Sequence, residues 1–279
     1  MQIDGKAAFI TGGASGIGFE IARALGEEGA QVMIADLDQA KVDDAVKALT
    51  AKGVTAFGTT CDVADESAMR AAADKALAEL GGVDILVNNA GVSLGGETGT
   101  IPLKDWRWII DVNLMGVVHG TEIFTPLLKA RGGGHIVNVA SMAGHWASPG
   151  LSPYCATKFA VVGLSESQRL ELEADKIGVS VLCPGFVRTN IHNAHLGRPS
   201  GKTYDDSAGL EAMTAFVEGG MPADIVGGVT LDAIRDNRLY IFTDPDMGVA
   251  IDARRDMIQA DYAACAANPR VKAFRGEAS

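Results

Sequence analysis

Three things are scarce in this chain. Only four of its 279 residues are cysteine. Cys61, Cys155, Cys183 and Cys265 lie far apart with no Cys-x-x-Cys among them, which argues against a zinc site or a disulfide framework and reads as small buried thiols in a reducing compartment. No apolar run approaches the ~20 residues that span a bilayer. The opening Met1-Gln2-Ile3-Asp4-Gly5-Lys6 also has no basic stretch leading into an apolar one, so a cytoplasmic protein is expected. Positive charge is the third shortage: 24 basic against 35 acidic residues give a formal net charge of −11. That balance repels phosphate backbones and anionic lipid, so neither a nucleic-acid nor a membrane partner is expected.

What remains is a chain built to fold. Hydrophobic residues make up 47% and charged residues 21%, enough apolar area to offset the entropy of ordering. The length suits one α/β domain over 1–279. Short β-branched runs at Lys6–Thr11, Gln31–Asp36, Val54–Asp62, Ile85–Asn88, His135–Val139, Val179–Cys183 and Leu239–Thr243 predict seven strands. Helices are expected at Ile17–Glu28, Asp38–Lys52, Asp65–Leu80, Leu103–Ala130 and Pro153–Asp175, with stops at Gly29, Gly53, Gly81, Gly132 and Gly178. The strands are apolar without strict alternation, as in a parallel sheet covered on both faces, so a doubly wound, Rossmann-type fold is the expected architecture. After Pro184 the pattern breaks until Pro222; residues 186–222 are read as a lid containing a helix at Ser207–Glu218. A helix at Pro222–Asp236 and one at Val249–Ala267 flank the last strand, and 244–279 form a C-terminal extension.

The segment Thr11-Gly12-Gly13-Ala14-Ser15-Gly16-Ile17-Gly18 links the first strand to the first helix, where backbone amides and the positive helix end suit a pyrophosphate. Its glycine spacing differs from G-x-G-x-x-G, and alone it is also what an ordinary strand-to-helix turn looks like. Asp36 adds weight. It ends the second strand 18 positions after Gly18, where a carboxylate accepts the ribose hydroxyls of an adenosine and repels a ribose phosphate. No Arg or Lys stands at 13 to 15 or at 37, so NAD is favoured over NADP, while Asp38 is free to cap the next helix.

Tyr154 and Lys158 are four apart on a helical stretch, so both project from one face. A free tyrosine has a pKa of about 10, and a neighbouring ammonium together with an oxidised nicotinamide favours the phenolate that would take a proton from an alcohol. The same spacing is common on solvated helix faces. Ser141 distinguishes the two readings, because it ends the fifth strand at the carboxyl edge of the sheet, where its hydroxyl can hold a substrate oxygen. Asn113, in Ile109-Ile110-Asp111-Val112-Asn113-Leu114-Met115, is a poor helix former inside an apolar stretch, suited to bending the helix and binding water.

In this order and spacing, Thr11-Gly12-x-x-x-Gly16-x-Gly18, Asn88-Asn89-Ala90-Gly91, Asn113, Ser141, Tyr154-x-x-x-Lys158 and Pro184-Gly185 resemble the classical short-chain dehydrogenase/reductase family. The resemblance covers roughly residues 5 to 190. It implies a seven-stranded sheet of order 3-2-1-4-5-6-7 in an oxidoreductase that interconverts alcohols and carbonyls, and a homo-oligomer, tetramer or dimer. Carried onto this chain, it makes Tyr154 the catalytic acid/base, with Lys158 lowering its pKa and holding the nicotinamide ribose. Ser141 would orient the reacting oxygen and Asn113 would position a relay water. Gly12, Ser15 and Ile17 would line the pyrophosphate turn, Asp62 and Val63 the adenine, Asn89 and Gly91 the ribose, and Val187 and Thr189 the carboxamide. Thr11 and Asn88 are expected to be structural, tying strands together.

For the substrate, Leu94, Met142, Trp146, Leu151 and Phe186 are candidate pocket residues, with His145 and the lid residues Leu210, Met213, Phe216 and Val217 nearby. The lid stripe either closes over a hydrophobic ligand or packs on the domain or a neighbouring subunit. His192 and His195 form a His-x-x-His without a third ligand, and no metal is assigned. Asp205-Asp206 adds negative charge, and beyond Arg188 and Arg198 there is little to recognise an anion, so the substrate is expected to be neutral. The chain has Thr243-Asp244-Pro245 where many family members finish with Asp-Gly-Gly; the longer lid and tail are similar to relatives acting on bulky secondary alcohols, such as Cα-dehydrogenases of lignin-derived aryl ethers. The expectation is an NAD-dependent interconversion of a bulky, hydrophobic, aryl-bearing secondary alcohol and its ketone. A hydroxysteroid or alicyclic alcohol dehydrogenase and a non-catalytic NAD sensor are the alternatives.

Overall fold

The computed structural model describes residues 1–191, 193, 197–201 and 207–276, with the side chains at 207–210, 212 and 213 outside the description. Two compact units emerge, Met1–Thr243 and Asp244–Ser279. The first begins β1 (Ala7–Thr11), α1 (Gly16–Glu27), β2 (Gln31–Asp36), α2 (Gln39–Ala51), β3 (Ala56–Thr60), α3 (Glu66–Leu80) and β4 (Ile85–Asn88). It continues with α4 (Leu103–Ile110), a π-turn (Asp111–Met115), α5 (Gly116–Ala130), β5 (Gly134–Val139), α6 (Ser152–Glu171) and β6 (Ile177–Cys183). It ends with α7 (Ser207–Glu218), α8 (Ala223–Asp236) and β7 (Tyr240–Phe242). The second unit holds α9 (Gly248–Ala267) and α10 (Pro269–Phe274); no residue of either is buried, and Val249, Met257, Tyr262 and Phe274 are exposed.

The seven strands form one sheet of order β3-β2-β1-β4-β5-β6-β7, every pairing parallel. This is the expected Rossmann-type sheet. Within the central strands successive residues serve opposite cores, which is why those strands read as unbroken apolar runs. Ile10, Ile34 and Val87 pack with Ile21 and Leu25 of α1, Val42 of α2 and Val226 of α8. Phe9, Met33 and Leu86 pack with Met69 of α3 and Phe124 of α5, the Phe9 and Phe124 rings stacking at 4.5 Å. Chain order reverses beside β1 and β4, and the crevice at their carboxyl ends is where such sheets bind ligands.

Three local expectations are corrected. The stretch Leu103–Ala130 is not one uniform α-helix, because the π-turn interrupts it at Asn113. Gly178 is no helix stop: it lies inside β6, and the left-handed residue is Lys176 at φ 58. β3 starts at Ala56 rather than Val54. Asp38 and Asp65 accept backbone amides at the starts of α2 and α3, as caps do. Among the described residues no helix is long and apolar enough to cross a membrane.

Candidate active site

A single cleft runs along the carboxyl edge of the sheet from Asp36, Leu37 and Lys41 past the glycine turn to Ser141, Tyr154 and Lys158. At its first end the turn must lie hard against the β4 loop. Gly12 is left-handed at φ 61, and a Cβ there would come within 2.9 Å of the Ala90 Cα. At Gly18 a Cβ would sit 2.4 Å from both the Gly12 carbonyl oxygen and the Asn89 side-chain nitrogen. That nitrogen donates to the carbonyls of Thr11 at 2.9 Å and Gly12 at 3.0 Å. The Thr11 hydroxyl in turn accepts the amides of Asn89 and Ala90 at 3.0 and 3.1 Å, tying β1 to the end of β4. Asn88 does similar structural work, its amide donating to Asn138 on β5 at 2.9 Å.

Asp36 ends β2 with its carboxylate oriented by two amides, Leu37 N–H donating to Oδ1 at 2.8 Å and Ala14 N–H to Oδ2 at 3.2 Å. The second bond fixes the carboxylate to the glycine turn. Gly12, Ser15, Ile17, Val63, Asn89, Gly91, Val187 and Thr189 line the cleft beside it, whereas Asp62 does not. Asp62 is exposed and accepts the Ala64 amide at 2.9 Å.

At the other end Ser141 follows β5 and caps the short turn Met142–Gly144, accepting the Ala143 amide at 3.1 Å and donating to the Pro184 carbonyl at 3.4 Å. Burial pushes the Tyr154 phenol above its ordinary pKa, and the polar influence of the Ser141 hydroxyl pulls only part of the way back. This runs opposite to the expected lowering by Lys158. The Lys158 ammonium lies 5.6 Å from the Tyr154 ring centre and donates to the Val139 carbonyl at 3.0 Å. Burial brings its own pKa down to about 8.

Asn113 is buried and fully engaged: its oxygen accepts the Val92 amide at 2.8 Å, and its nitrogen donates to the Val92 carbonyl at 2.9 Å and the Thr157 hydroxyl at 3.2 Å. Thr157 donates to the Tyr154 carbonyl at 2.8 Å. The π-turn thereby clamps the β4 loop to the helix that carries Tyr154 and Lys158. A π-turn also shifts the carbonyl ladder by one residue, a distortion often found at functional sites.

The five candidate substrate residues are not brought into this cleft. Leu94 is fully buried, Met142 nearly so, and Trp146 is exposed. Leu151 precedes α6 at its amino end, and Phe186 stacks on Phe216 of α7 at 5.0 Å. His145 turns toward β7, with Nε2 3.3 Å from the Cys183 sulfur and its ring against Tyr240 and Phe242. Val217 packs inward at 3% exposure, while the side chains of Leu210 and Met213, and the residues His192, His195, Asp205 and Asp206, lie outside the description. Arg188 donates to the Gly220 carbonyl at 3.0 Å and Arg198 is buried. Among the described residues no cluster of three or more His, Cys, Asp or Glu could hold a metal.

Sequence reasoning missed Lys41, Cys61, Val92, Asn190 and Ile191, all of which line the cleft. Lys41 was findable as the cation in the first turn after Asp36; its ammonium is 4.0 Å from Asp38. The others carry no compositional signal.

Comparison with known proteins gives a consistent picture. The family model described as short chain dehydrogenase matches residues 6–197. A CLA biosynthesis dehydrogenase/reductase of Lactiplantibacillus plantarum is 33% identical over 270 residues, covering 92% of this chain and 94% of that protein. A C alpha-dehydrogenase of Sphingobium sp. is 35% identical over 280 residues, 98% of this chain and 92% of that one. The crystal structure of a short chain dehydrogenase/reductase from Burkholderia phymatum in complex with NAD superposes with a TM-score of 0.89 at 35% identity, covering 94% of this chain and 96% of that one.

Proposed function

The chain belongs to the short chain dehydrogenase family, and from that premise we propose that it is an NAD-dependent dehydrogenase interconverting a neutral, bulky, aryl-bearing secondary alcohol and its ketone. One observation carries the reading: a single cleft joins the Asp36 carboxylate and the glycine turn to the half-buried Tyr154 phenol and Ser141 hydroxyl and the buried Lys158 ammonium. These residues suit a dinucleotide. The turn is so close to the β4 loop that a Cβ at Gly12 would collide with the Ala90 backbone, and α1 presents its positive end there.

Asp36 would accept the adenosine ribose hydroxyls, Gly12, Ser15 and Ile17 would face the pyrophosphate, and Lys158 would hold the second ribose. When bound, the nicotinamide supplies the acceptor or donor of the hydride. Ser141 holds the substrate oxygen through its hydroxyl, and Tyr154 in the same cleft takes the alcohol proton in one direction and returns it in the other. Since burial holds the phenol up, the positive charge of Lys158 and of an oxidised nicotinamide beside it is what makes Tyr154 a usable base. Lys158 performs this only while protonated, so its pKa of about 8 sets an upper limit on the pH of full activity.

The preference for NAD follows from Asp36, whose charge repels a ribose phosphate, with Lys41 drawn instead toward Asp38. Among the described residues lining the cleft, Lys41 and Lys158 are the cations, which supports a neutral substrate. The lid over 186–222, the homo-oligomer and the cytoplasmic setting belong to the same proposal. The test is reduced-cofactor formation with NAD and then NADP across aryl, steroidal, aliphatic and sugar alcohols. Turnover of bulky aryl alcohols with NAD is expected, with Asp36→Ala reducing the NAD over NADP preference about tenfold or more. Turnover confined to steroids or sugars overturns the substrate, and an unchanged cofactor ratio in Asp36→Ala overturns the role of that carboxylate.

A further inference from the structure

Asp105, in the first turn of α4, has no solvent exposure. A buried carboxyl is costly unless its oxygens are bonded, and one residue far along the chain satisfies both. The Ser200 amide donates to Oδ1 at 2.9 Å and the Ser200 hydroxyl to Oδ2 at 2.6 Å. Beside this pair the Lys104 ammonium donates to the Pro199 carbonyl at 3.0 Å. Two consecutive side chains of α4 thus hold two consecutive residues of the chain that leaves the cleft.

That chain begins as part of the cleft wall: Val187, Thr189, Asn190 and Ile191 all line it. Its start is fastened by the parallel bridge of Val187 with Met221 and by Arg188 Nε donating to the Gly220 carbonyl at 3.0 Å. Its far end is fastened by Asp105. At its other end α4 runs directly into the π-turn whose Asn113 grips Val92 and Thr157. One short helix therefore ties a wall of the cleft to the scaffold of Tyr154 and Lys158.

We propose that Asp105 is a positioning residue for cofactor binding: by holding Ser200 it keeps residues 187–191 seated against the cleft. The proposal rests on the dinucleotide reading of the cleft given above. It makes a distinction that a purely stabilising carboxyl would not, because loss of the bond should weaken cofactor affinity more than it slows turnover at saturation.

The test uses the full-length chain with Asp105→Asn, Ser200→Ala and Ser200→Thr, NADH binding followed by fluorescence, and amide hydrogen exchange read over 185–191. A bond to a carboxylate lost from a buried pair predicts NADH affinity weaker by about tenfold or more in Asp105→Asn. Loss of the hydroxyl alone in Ser200→Ala predicts about threefold, with Ser200→Thr close to wild type. The kcat at saturating cofactor should change by less than about threefold, and exchange over 185–191 should accelerate while β1 and β4 stay protected. If affinity and exchange over 185–191 are both unchanged in Asp105→Asn, the proposal is wrong. Should that variant fail to fold, the Ser200 pair decides by the same two readouts: Ser200→Ala altered and Ser200→Thr restored supports it, and no difference between them overturns it. Wild-type protein that binds no NADH would sink the dinucleotide reading, and exchange over 185–191 would still decide whether Asp105 seats that wall.

Discussion

At Lys158 an ammonium sits in a residue only 4% exposed, held by a bond to the Val139 carbonyl and brought down to a pKa of about 8 by burial. The folded pKa is below the ordinary 10.5, so below pH 8 the folded chain carries the full cost of a buried charge, and stability rises with pH between about 8 and 10.5 as that charge is lost. Replacing Lys158 by Met should therefore abolish turnover and yet raise the unfolding free energy at pH 7 by about 1–2 kcal/mol. The gain should shrink toward pH 10 in urea titrations; a loss of stability of equal size at both pH values would contradict the burial argument. The direction matters because it is the trade expected of a residue kept for chemistry. Residues such as Asp36, Ser141, Tyr154 and Lys158 were legible in the sequence because each sits at a strand end or a helical spacing that fixes where it points. Trp146, Leu151 and Phe186 were not, since whether an apolar side chain faces a cleft or a neighbouring helix is settled by packing partners distant in sequence. Phe186 stacking on Phe216 is the clear instance.

The glycine turn and α1 work as one element, and Gly18 is its tightest point. A Cβ there would meet the Gly12 carbonyl and the Asn89 amide, both at 2.4 Å, and the first of these is backbone that cannot swing aside. Gly18→Ala should weaken NADH binding by about tenfold or more while leaving the sheet intact, read by fluorescence titration alongside far-ultraviolet circular dichroism. Undiminished affinity would mean that the turn does not carry the pyrophosphate. The apolar runs located the seven strands and their parallel character, because residues alternating between two apolar cores leave a recognisable unbroken run, as Phe9 and Ile10 do in β1, while the strand order came from the family resemblance alone. The break at Asn113 was foreseen only as a bend, since a single π-turn leaves the apolar spacing of the flanking α4 and α5 almost unaltered. Lys176 taking the left-handed conformation in place of Gly178 was likewise hidden, because it depends on where β6 begins to pair with β5.

Across the whole molecule the parallel sheet separates chemistry from stability: its carboxyl edge carries the cleft, while its amino edge carries buried groups with no part in it. At the amino edge His135 is buried, with Nε2 2.8 Å from the Ser180 hydroxyl, and burial followed by the nearby Arg169 charge brings its pKa down to about 3. Asp84 receives the Ala7 amide at 3.0 Å and pairs with Lys6 and Arg131; burial pushes its carboxyl up, but the Arg131 and Ala7 bonds outweigh it and leave the pKa lowered. Both shifts act in one direction, since the unfolded chain binds more protons and stability falls with pH, first below about 6.5 through His135 and then through the carboxylate range. The unfolding free energy should drop by about 2 kcal/mol between pH 7 and pH 5, with His135→Gln flattening that slope; an equal slope in the variant would assign the acid sensitivity elsewhere. The central claim is the proposal that at the carboxyl edge, in the cleft lined by Ser141, Tyr154 and Lys158, the Tyr154 phenol exchanges the proton of the reacting alcohol. Tyr154→Phe tests it most directly, with NADH affinity and alcohol turnover measured on the same preparation. The account predicts affinity within about twofold of wild type and turnover lower by about a thousandfold or more, whereas turnover that survives with the cofactor still bound would contradict it.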